Sequence, residues 1–188
     1  PYWRKADAPD RQGITENKYV CGYLAYWDEL LKRHPGMLID SCASGGRRND
    51  LETLRRSVPL LRSDYIFEPI GQQGHSYGMA LWVPLFGTGV MGEDLYTFLS
   101  CMTPYVNSCW DIRSADVDHL AKLRNYQIWA EVKDYFYGDY YPLTRYQLEP
   151  DLWMAWQYHR PDKEEGMVLA FARQDTPYPS LRVRLMAL

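Results

Sequence analysis

Apolar positions in the first third of the chain follow the period of an α-helix. The spacing predicts a helix over about 16–34, which Pro35-Gly36 would end. The stripe of apolar side chains that carries this prediction consists of Tyr19, Tyr23, Leu24, Trp27, Leu30 and Leu31. A helix with such a stripe buries one face against the rest of a domain.

Short apolar runs then predict buried strands at 37–39, 60–61 and 81–86. Helices are predicted between them, at about 51–57 and 76–80. This alternation of strands with helices is typical of a parallel sheet. Loops that follow the strands of such sheets carry the functional groups, so polar residues at the strand ends are the first candidates for a site.

The pattern changes in the second half of the chain. A long helix is predicted over 114–136, and beyond Pro150 the strand-like runs are 153–159, 167–173 and 181–185, separated by turn-forming residues. We therefore divide the chain into 1–150, a partial α/β domain, and 151–188, the beginning of an antiparallel β domain. Three strands are too few for an independent sandwich, and three or four strand–helix units are too few for a closed eight-stranded barrel. We expect the chain to be part of a larger protein at both ends.

Composition excludes several classes of protein. The formal net charge of -3 provides no basic surface for sequence-independent nucleic-acid binding, and 46% hydrophobic residues argue against wholesale disorder. No apolar run is long enough to span a membrane. The four cysteines and four histidines are scattered, so we predict neither a metal site nor a disulfide framework. The location in the cell stays open, with the cytoplasm slightly favoured, since these cysteines do not argue for an oxidising compartment. The 15% aromatic residues fit either a bulky core or platforms for sugar rings.

The segment with the most chemistry is Ile39-Asp40-Ser41-Cys42-Ala43-Ser44-Gly45-Gly46-Arg47-Arg48-Asn49-Asp50. Its small residues allow a ligand to approach the backbone, and its arginines offer rigid donor forks to hydroxyls or carboxylates. A carboxylate at the end of the turn, Asp50, is placed for proton exchange with a substrate. The alternative is that Asn49 or Asp50 only caps the helix that follows, and the pattern leaves both interpretations open.

Two other interpretations of this segment are weaker. A phosphate-binding loop would need the spacing Gly-x-x-x-x-Gly-Lys-Ser/Thr, which the segment lacks. A nucleophilic Cys42 would need a histidine and a third orienting group, and His75 is the only histidine placed for this role.

The segment resembles the Cys-x-x-Gly-Gly-x-Arg-x-Asp motif of the melibiase-type retaining α-galactosidases, glycoside hydrolase family 36 and its close relatives. The continuation over 51–65 and the head of the chain over 1–16 are similar to the same family, as are 153–155 and 166–168. The resemblance therefore spans essentially the whole chain.

The resemblance implies the C-terminal half of a (β/α)8 TIM barrel followed by the first strands of an antiparallel β-sandwich. It implies a retaining hydrolase of terminal α-galactosides that works by double displacement, with Asp50 as the general acid/base. The family's nucleophilic aspartate would lie upstream of Pro1, so we expect the isolated chain to be inactive. No metal or organic cofactor is needed for this mechanism. We expect the pKa of Asp50 to be raised before the first step and lowered after it.

The resemblance also implies a substrate pocket, which comprises Cys42, Ser44, Gly45, Gly46, Arg47, Arg48 and Asp64. Arg47 departs from the family, which often has Gly there, and Asp64 has a loop cap as its alternative role. His75 and Trp82 either line the pocket or pack in the core. The expected partner is a carbohydrate, and neither a nucleic acid nor a membrane. A homo-oligomeric state of the longer protein to which this chain would belong is compatible with this assignment. Two functions remain open beside it: an α-N-acetylgalactosaminidase or other α-glycosidase of the same fold, and a non-catalytic carbohydrate-binding module.

Overall fold

The computed structural model describes residues 2–42 and 45–187. The predicted site residue Ser44 lies outside them. The helices are α1 (Tyr2–Ala6), α2 (Ile14–Arg33), α3 (Leu51–Leu54), α4 (Pro69–Met79), α5 (Leu95–Ser100) and α6 (His119–Val132), and a 3₁₀ helix follows at Lys133–Tyr137. The strands are β1 (Gly87–Val90), β2 (Tyr105–Ser108), β3 (Asp139–Pro142), β4 (Trp153–Arg160) and β5 (Glu165–Ala172).

The first part of the chain places four extended segments side by side in parallel. β1 pairs with β2 from Gly87–Tyr105 to Val90–Ser108. On the other side of β1, Arg62 N–H donates to Gly87 C=O at 3.0 Å, and Gly87 N–H donates to Pro59 C=O at 2.8 Å. Next along, a parallel bridge joins Asp40 to Val58. The segments therefore follow one another in space in the order in which they occur in the chain.

The predicted strands at 37–39 and 60–61 are not regular strands, because each is held by only a few backbone hydrogen bonds to its neighbours. The prediction of a strand over 81–86 is wrong. Pro84 has no N–H to give to a ladder, and the N–H groups of Trp82 and Val83 both donate to Met79 C=O in a turn that ends α4. The strand β1 begins only after this turn.

Among the helices, the prediction over 16–34 is confirmed by α2. The predicted helix at 51–57 is shortened to α3, and the one at 76–80 begins seven residues earlier, at Pro69. Pro69 occupies the first turn and Glu68 caps it, which are both strong start signals. The sequence does not predict the first part of this helix because Gly71, Gly74 and Gly78 have a low helix propensity.

The second part of the chain is an antiparallel sheet in the order β3-β4-β5. The strands predicted at 153–159 and 167–173 are confirmed by β4 and β5, whereas 181–185 forms no strand. The sheet already begins with β3, before the predicted boundary at 150. Its central strand β4 is buried on both faces, and the face that carries Met154 and Trp156 packs on the core shared with α5, β2 and α6. That core includes Phe98, Val106, Met154, Trp156 and Phe171.

Within the described residues, no helix is long and apolar enough to cross a membrane.

Candidate functional site

Cys42 and Asp64 lie just past the carboxyl ends of two neighbouring parallel segments. Cys42 follows the bridge residue Asp40, whose Oδ1 accepts a hydrogen bond from Cys42 N–H at 3.0 Å. Asp64 follows Arg62, which bonds to β1. Partial desolvation, and then the negative charges of Asp40 and Asp64, raise the pKa of the exposed Cys42 thiol. This thiol and these carboxylates therefore share one local environment.

Two glycines bring the loop that carries the motif, residues 42–48 (the motif loop), against the segment that ends at Asp64. Gly45 and Gly46 both have positive φ, at 68° and 85°. A Cβ on Gly45 would come 3.1 Å from Asp64 Oδ2, and a Cβ on Gly46 would come 2.3 Å from Arg62 C=O. Both positions therefore require glycine, one for its conformation and the other also for space.

Asn49 fastens the same loop. Its Nδ2 donates to Arg62 C=O at 3.2 Å, so the loop and the segment before Asp64 are joined by a side chain as well as by close packing. The sequence pattern suggested only a capping role for Asn49. In the structure, the Asn49 side chain instead bonds to the backbone of Arg62, thirteen residues further along the chain.

Arg48 and Asp50 turn away from this cluster towards α2. The Arg48 guanidinium lies 4.9 Å from the centre of the Tyr23 ring, and its Nη1 donates to Tyr23 Oη at 3.5 Å. A cleft of about 340 Å³ between α2 and α3 is lined by Tyr23, Arg48, Asp50 and Thr53, among others. Arg47 is exposed to solvent.

Asp50 caps α3 with both carboxylate oxygens. Its Oδ1 accepts from Thr53 N–H at 3.0 Å, and its Oδ2 accepts from the Thr53 hydroxyl at 2.8 Å. The hydrogen bond from Thr53 N–H lowers the pKa of Asp50, and partial desolvation raises it. The hydrogen bond from the Thr53 hydroxyl lowers it further, so the pKa of Asp50 lies below its ordinary value. This direction is opposite to the raised pKa expected of a group about to donate a proton. The capping role that the sequence left open is thus the one seen here.

His75 and Trp82 lie at separate places. His75 is on α4 and lines a cleft with Tyr65, Glu68 and Tyr146. Trp82 is 52% exposed and lines an apolar groove beside α3, so it packs in no core. The predicted residues therefore divide into three groups: a cluster of Cys42, Gly45, Gly46 and Asp64, the residues Arg48 and Asp50 that line the cleft beside α2, and isolated positions.

Arg62 is a residue that sequence reasoning missed. Its side chain is 1% exposed and donates to Ser76 Oγ at 3.0 Å and to Gln72 Oε1 at 2.9 Å, both on α4. Burial lowers the pKa of Arg62 to about 9, which leaves it charged at neutral pH. Its position beside Ser63-Asp64 was the only signal in the sequence, and nothing in the pattern marks it as buried. Among the described residues, no group of three or more His, Cys, Asp or Glu side chains is arranged to hold a metal ion.

Comparisons with known proteins relate this chain to α-galactosidases. No family model matches the chain. α-Galactosidase AgaA from Geobacillus stearothermophilus is 31% identical over 81 residues, which cover 43% of this chain and 11% of that protein. The chain thus corresponds to a small part of that relative's length.

Solved structures extend the similarity to nearly the whole chain. The crystal structure of the GH36 α-galactosidase AgaA from Geobacillus stearothermophilus superposes with a TM-score of 0.76 and 21% identity, over 97% of this chain and 27% of that one. A variant of the same enzyme in complex with 1-deoxygalactonojirimycin has a TM-score of 0.77 and 22% identity at the same coverage. The galactosidase domain of the α-galactosidase-sucrose kinase AgaSK has a TM-score of 0.74 and 18% identity, over 96% of this chain and 27% of that one. The chain is therefore similar to GH36 α-galactosidases, in sequence over 81 residues and in mixed α/β fold over almost its entire length.

Proposed function

We propose that this chain is part of the catalytic region of a retaining glycoside hydrolase that cleaves terminal α-galactosides. The observation that carries the proposal is the cluster of Cys42, Gly45, Gly46 and Asp64 at the carboxyl ends of adjacent parallel segments. In barrels of alternating strands and helices, this is the face that holds the substrate. Similarity in fold to α-galactosidases supports the choice of reaction, and one of the similar structures is in complex with raffinose.

The proposed architecture is the C-terminal half of a (β/α)8 barrel followed by the start of an antiparallel sandwich. Four parallel segments that neighbour one another in chain order support the first part. The sheet β3-β4-β5 supports the second. The proposed division of the chain into 1–150 and 151–188 assigns β3 to the barrel part and β4 to the sandwich part. These two strands nevertheless pair with each other in one sheet.

The proposed mechanism uses two carboxyl groups and no cofactor. An aspartate carboxylate from chain preceding Pro1 attacks the anomeric carbon, and a second carboxyl group of this chain protonates the leaving oxygen. Water then attacks the glycosyl ester, and the second group takes the proton from it. The galactose hydroxyls would be bound by the motif loop, Cys42 to Arg48.

Asp50 is the predicted acid/base, and the structure raises Asp64 as a second candidate. Both carboxylate oxygens of Asp50 accept hydrogen bonds from Thr53, and these bonds lower the pKa of Asp50. Asp64 instead follows a parallel segment directly and lies against the Gly45 backbone and close to Cys42. This position after a parallel segment supports Asp64 as a candidate for the acid/base.

Kinetic measurements on the longer protein that carries this chain (the parent protein) would decide whether Asp50 or Asp64 is the acid/base. With raffinose as substrate, Asn in place of the acid/base should lower kcat by roughly 10²–10⁴-fold. Azide should restore turnover of an activated aryl α-galactoside by that variant, because it replaces the water that needs a base. We expect this behaviour from only one of Asp50→Asn and Asp64→Asn. If neither variant loses activity, the acid/base is in another part of the parent protein.

The same assay tests the class of function. Hydrolysis of aryl α-galactoside with retention at the anomeric carbon supports the proposal, whereas turnover of aryl α-N-acetylgalactosaminide alone supports the related glycosidase. Sugar binding without turnover by the parent protein would indicate a carbohydrate-binding module. The isolated 188-residue chain is expected to hydrolyse none of these substrates.

A further inference from the structure

The loop that follows β1, residues 91–94 (the β1 loop), lies next to the proposed catalytic cluster. Arg62 N–H donates to Gly87 C=O at 3.0 Å, and in a parallel ladder this bond sets Arg62 level with the residue after Gly87. Two residues further along both segments, Asp64 is level with Val90, the last residue of β1. Neighbouring strands lie about 4.8 Å apart. The β1 loop is therefore the next loop along the edge that carries Asp64.

The chain after Asp64 also packs over the end of β1. A Cβ on Gly89 would come 3.2 Å from Ile66 Cδ1, so the two segments approach each other closely here. Met91, the first residue of the β1 loop, is 50% exposed. The loop thus places an apolar side chain at this edge, within reach of a ligand that binds there.

Lys122, near the start of α6, is bound to two carbonyl groups of the β1 loop. Its side chain is 4% exposed, and its Nζ donates to Met91 C=O at 3.1 Å and to Gly92 C=O at 3.2 Å. The same Nζ lies 3.6 Å from the centre of the Trp110 ring. Because Trp110 follows β2, one ammonium group joins the carboxyl ends of β1 and β2.

Asn125, about one turn further along α6, binds the next carbonyl group of the loop. It is 5% exposed, and its Nδ2 donates to Glu93 C=O at 2.9 Å. Glu93 Oε1 in turn accepts a hydrogen bond from Asp118 N–H at 3.2 Å, at the start of the same helix. Three successive carbonyl groups of the β1 loop are therefore bound by side chains of α6, and these bonds fix the conformation of the loop.

The ammonium group of Lys122 is the strongest of these attachments. Desolvation lowers the pKa of Lys122, and the negative charge of Glu93 raises it. Hydrogen bonds from a charged donor are roughly twice as strong as those between neutral groups. A neutral side chain of similar length could still pack on Trp110, but it could not bind the two carbonyl groups.

We propose that Lys122 is a positioning residue for substrate binding, which acts by holding the β1 loop in its binding-competent conformation beside Asp64. This inference rests on the proposed function, because it takes the edge that carries Asp64 as the substrate face. Lys122 acts only through the loop and Trp110. Without its bonds, only a fraction of the molecules has the competent loop, so KM rises by the inverse of that fraction. The value of kcat, which describes substrate already bound, stays the same.

The test measures kcat and KM of the parent protein on an aryl α-galactoside. Lys122→Met keeps the approximate length of the side chain and removes the ammonium group. We expect KM to rise about 5- to 20-fold and kcat to change by less than about twofold. Lys133→Met is the matched control, because Lys133 also lies over a tryptophan ring, that of Trp129 at 5.6 Å, beyond the other end of α6. It should change neither constant.

Hydrogen–deuterium exchange in the absence of substrate follows the loop independently of the reaction. Exchange over residues 91–97 should be faster in Lys122→Met than in the unaltered parent protein and in Lys133→Met. Asn125→Ala removes one of the three attachments and should raise KM by a smaller factor. This second variant tests the inference even where Lys122→Met fails to fold.

Three outcomes overturn the role of Lys122. A lower kcat with unchanged KM would show that the variant has merely lost folded molecules. Unchanged exchange over 91–97 in Lys122→Met would show that Lys122 does not hold the loop. If the unaltered parent protein hydrolyses no α-galactoside, the proposed function fails, and the role in substrate binding fails with it whatever the exchange shows.

Discussion

Asp50 stabilises the first turn of α3 through Thr53, and this should be measurable whatever its role in catalysis. Asp50→Ala should lower the stability of the parent protein by about 1 kcal/mol, the usual cost of losing an N-cap. Because the pKa of Asp50 is lowered by folding, its stabilising effect is fully present above its ordinary pKa of 3.8 and is lost as the pH falls through the lowered value. Thermal unfolding midpoints of the two proteins should therefore differ at pH 7 and converge at an acidic pH below the lowered pKa. A constant difference at both pH values would contradict the capping role.

Gly46 should be far less replaceable than a glycine of similar conformation elsewhere. Gly46 and Gly36 have φ of 85° and 87°, so alanine meets the same backbone strain at both. A Cβ at Gly46 would also meet Arg62 C=O at 2.3 Å, whereas nothing lies within 4 Å of one at Gly36. Gly46→Ala should thus lower the unfolding midpoint of the parent protein clearly more than Gly36→Ala. Equal losses would mean that the motif loop does not press on the segment before Asp64.

At the residue scale, sequence reasoning found the loop but not its internal contacts. The run of small residues predicts close backbone approach, and the structure places Gly45 and Gly46 against Asp64 and Arg62. Which carboxylate faces the substrate depends on hydrogen bonds such as those to Thr53, and a motif does not encode them. Whether Asp50 or Asp64 is the acid/base stays a prediction.

At the scale of elements, α4 is fixed by a buried polar network rather than by an apolar stripe. Gln72 Oε1 accepts from Arg62 Nη2 at 2.9 Å and from Thr88 Oγ1 at 2.9 Å. All three side chains are buried. The helix is therefore joined through Gln72 both to the segment before Asp64 and to β1.

Loss of the Gln72 side-chain acceptor should be costly, because the buried Arg62 guanidinium would keep only its bonds to Ser76 Oγ and to the Gln72 backbone C=O. Gln72→Leu should destabilise the parent protein by about 2–3 kcal/mol. Arg62→Met removes the charge that needs the acceptor, so the double variant should be less destabilised than the sum of the two single variants. Urea denaturation of the four proteins measures this coupling. Strict additivity would show that Gln72 and Arg62 do not depend on each other.

The accuracy of the predicted elements follows from where their information lies. Helix α2 and strands β4 and β5 are long and have clear periodic patterns, so local sequence was sufficient. The short runs at 37–39 and 60–61 are apolar but receive too few partners to become strands. Helix α4 carries three glycines and several buried polar residues, so its pattern is not that of an amphipathic helix. These failures share one cause, which is that tertiary partners decide short or polar segments.

At the scale of the whole molecule, the described chain leaves much apolar surface exposed. The bridge at Asp40 is formed with Val58 on one side, and no strand partner for its other side occurs within 2–42 or 45–187. Leu38, just before this bridge, is 65% exposed, and Tyr19, Val20 and Tyr26 on α2 are exposed as well. An open edge beside exposed apolar side chains favours association between chains.

We therefore expect the isolated 188-residue chain to be oligomeric or to aggregate, and we expect a longer protein in which a further strand covers this edge to lack the association. Size-exclusion chromatography with light scattering measures the mass of each. Leu38→Lys places a charge beside the open edge and should shift the isolated chain towards the monomer, whereas Leu123→Lys, at an exposed position on α6, should shift it less. A monomeric isolated chain with a cooperative melting transition would instead show that the segments up to β5 fold as a complete unit. The edge at Asp40 would then be stable without a neighbouring strand, which would weaken the case that this chain is half of a barrel.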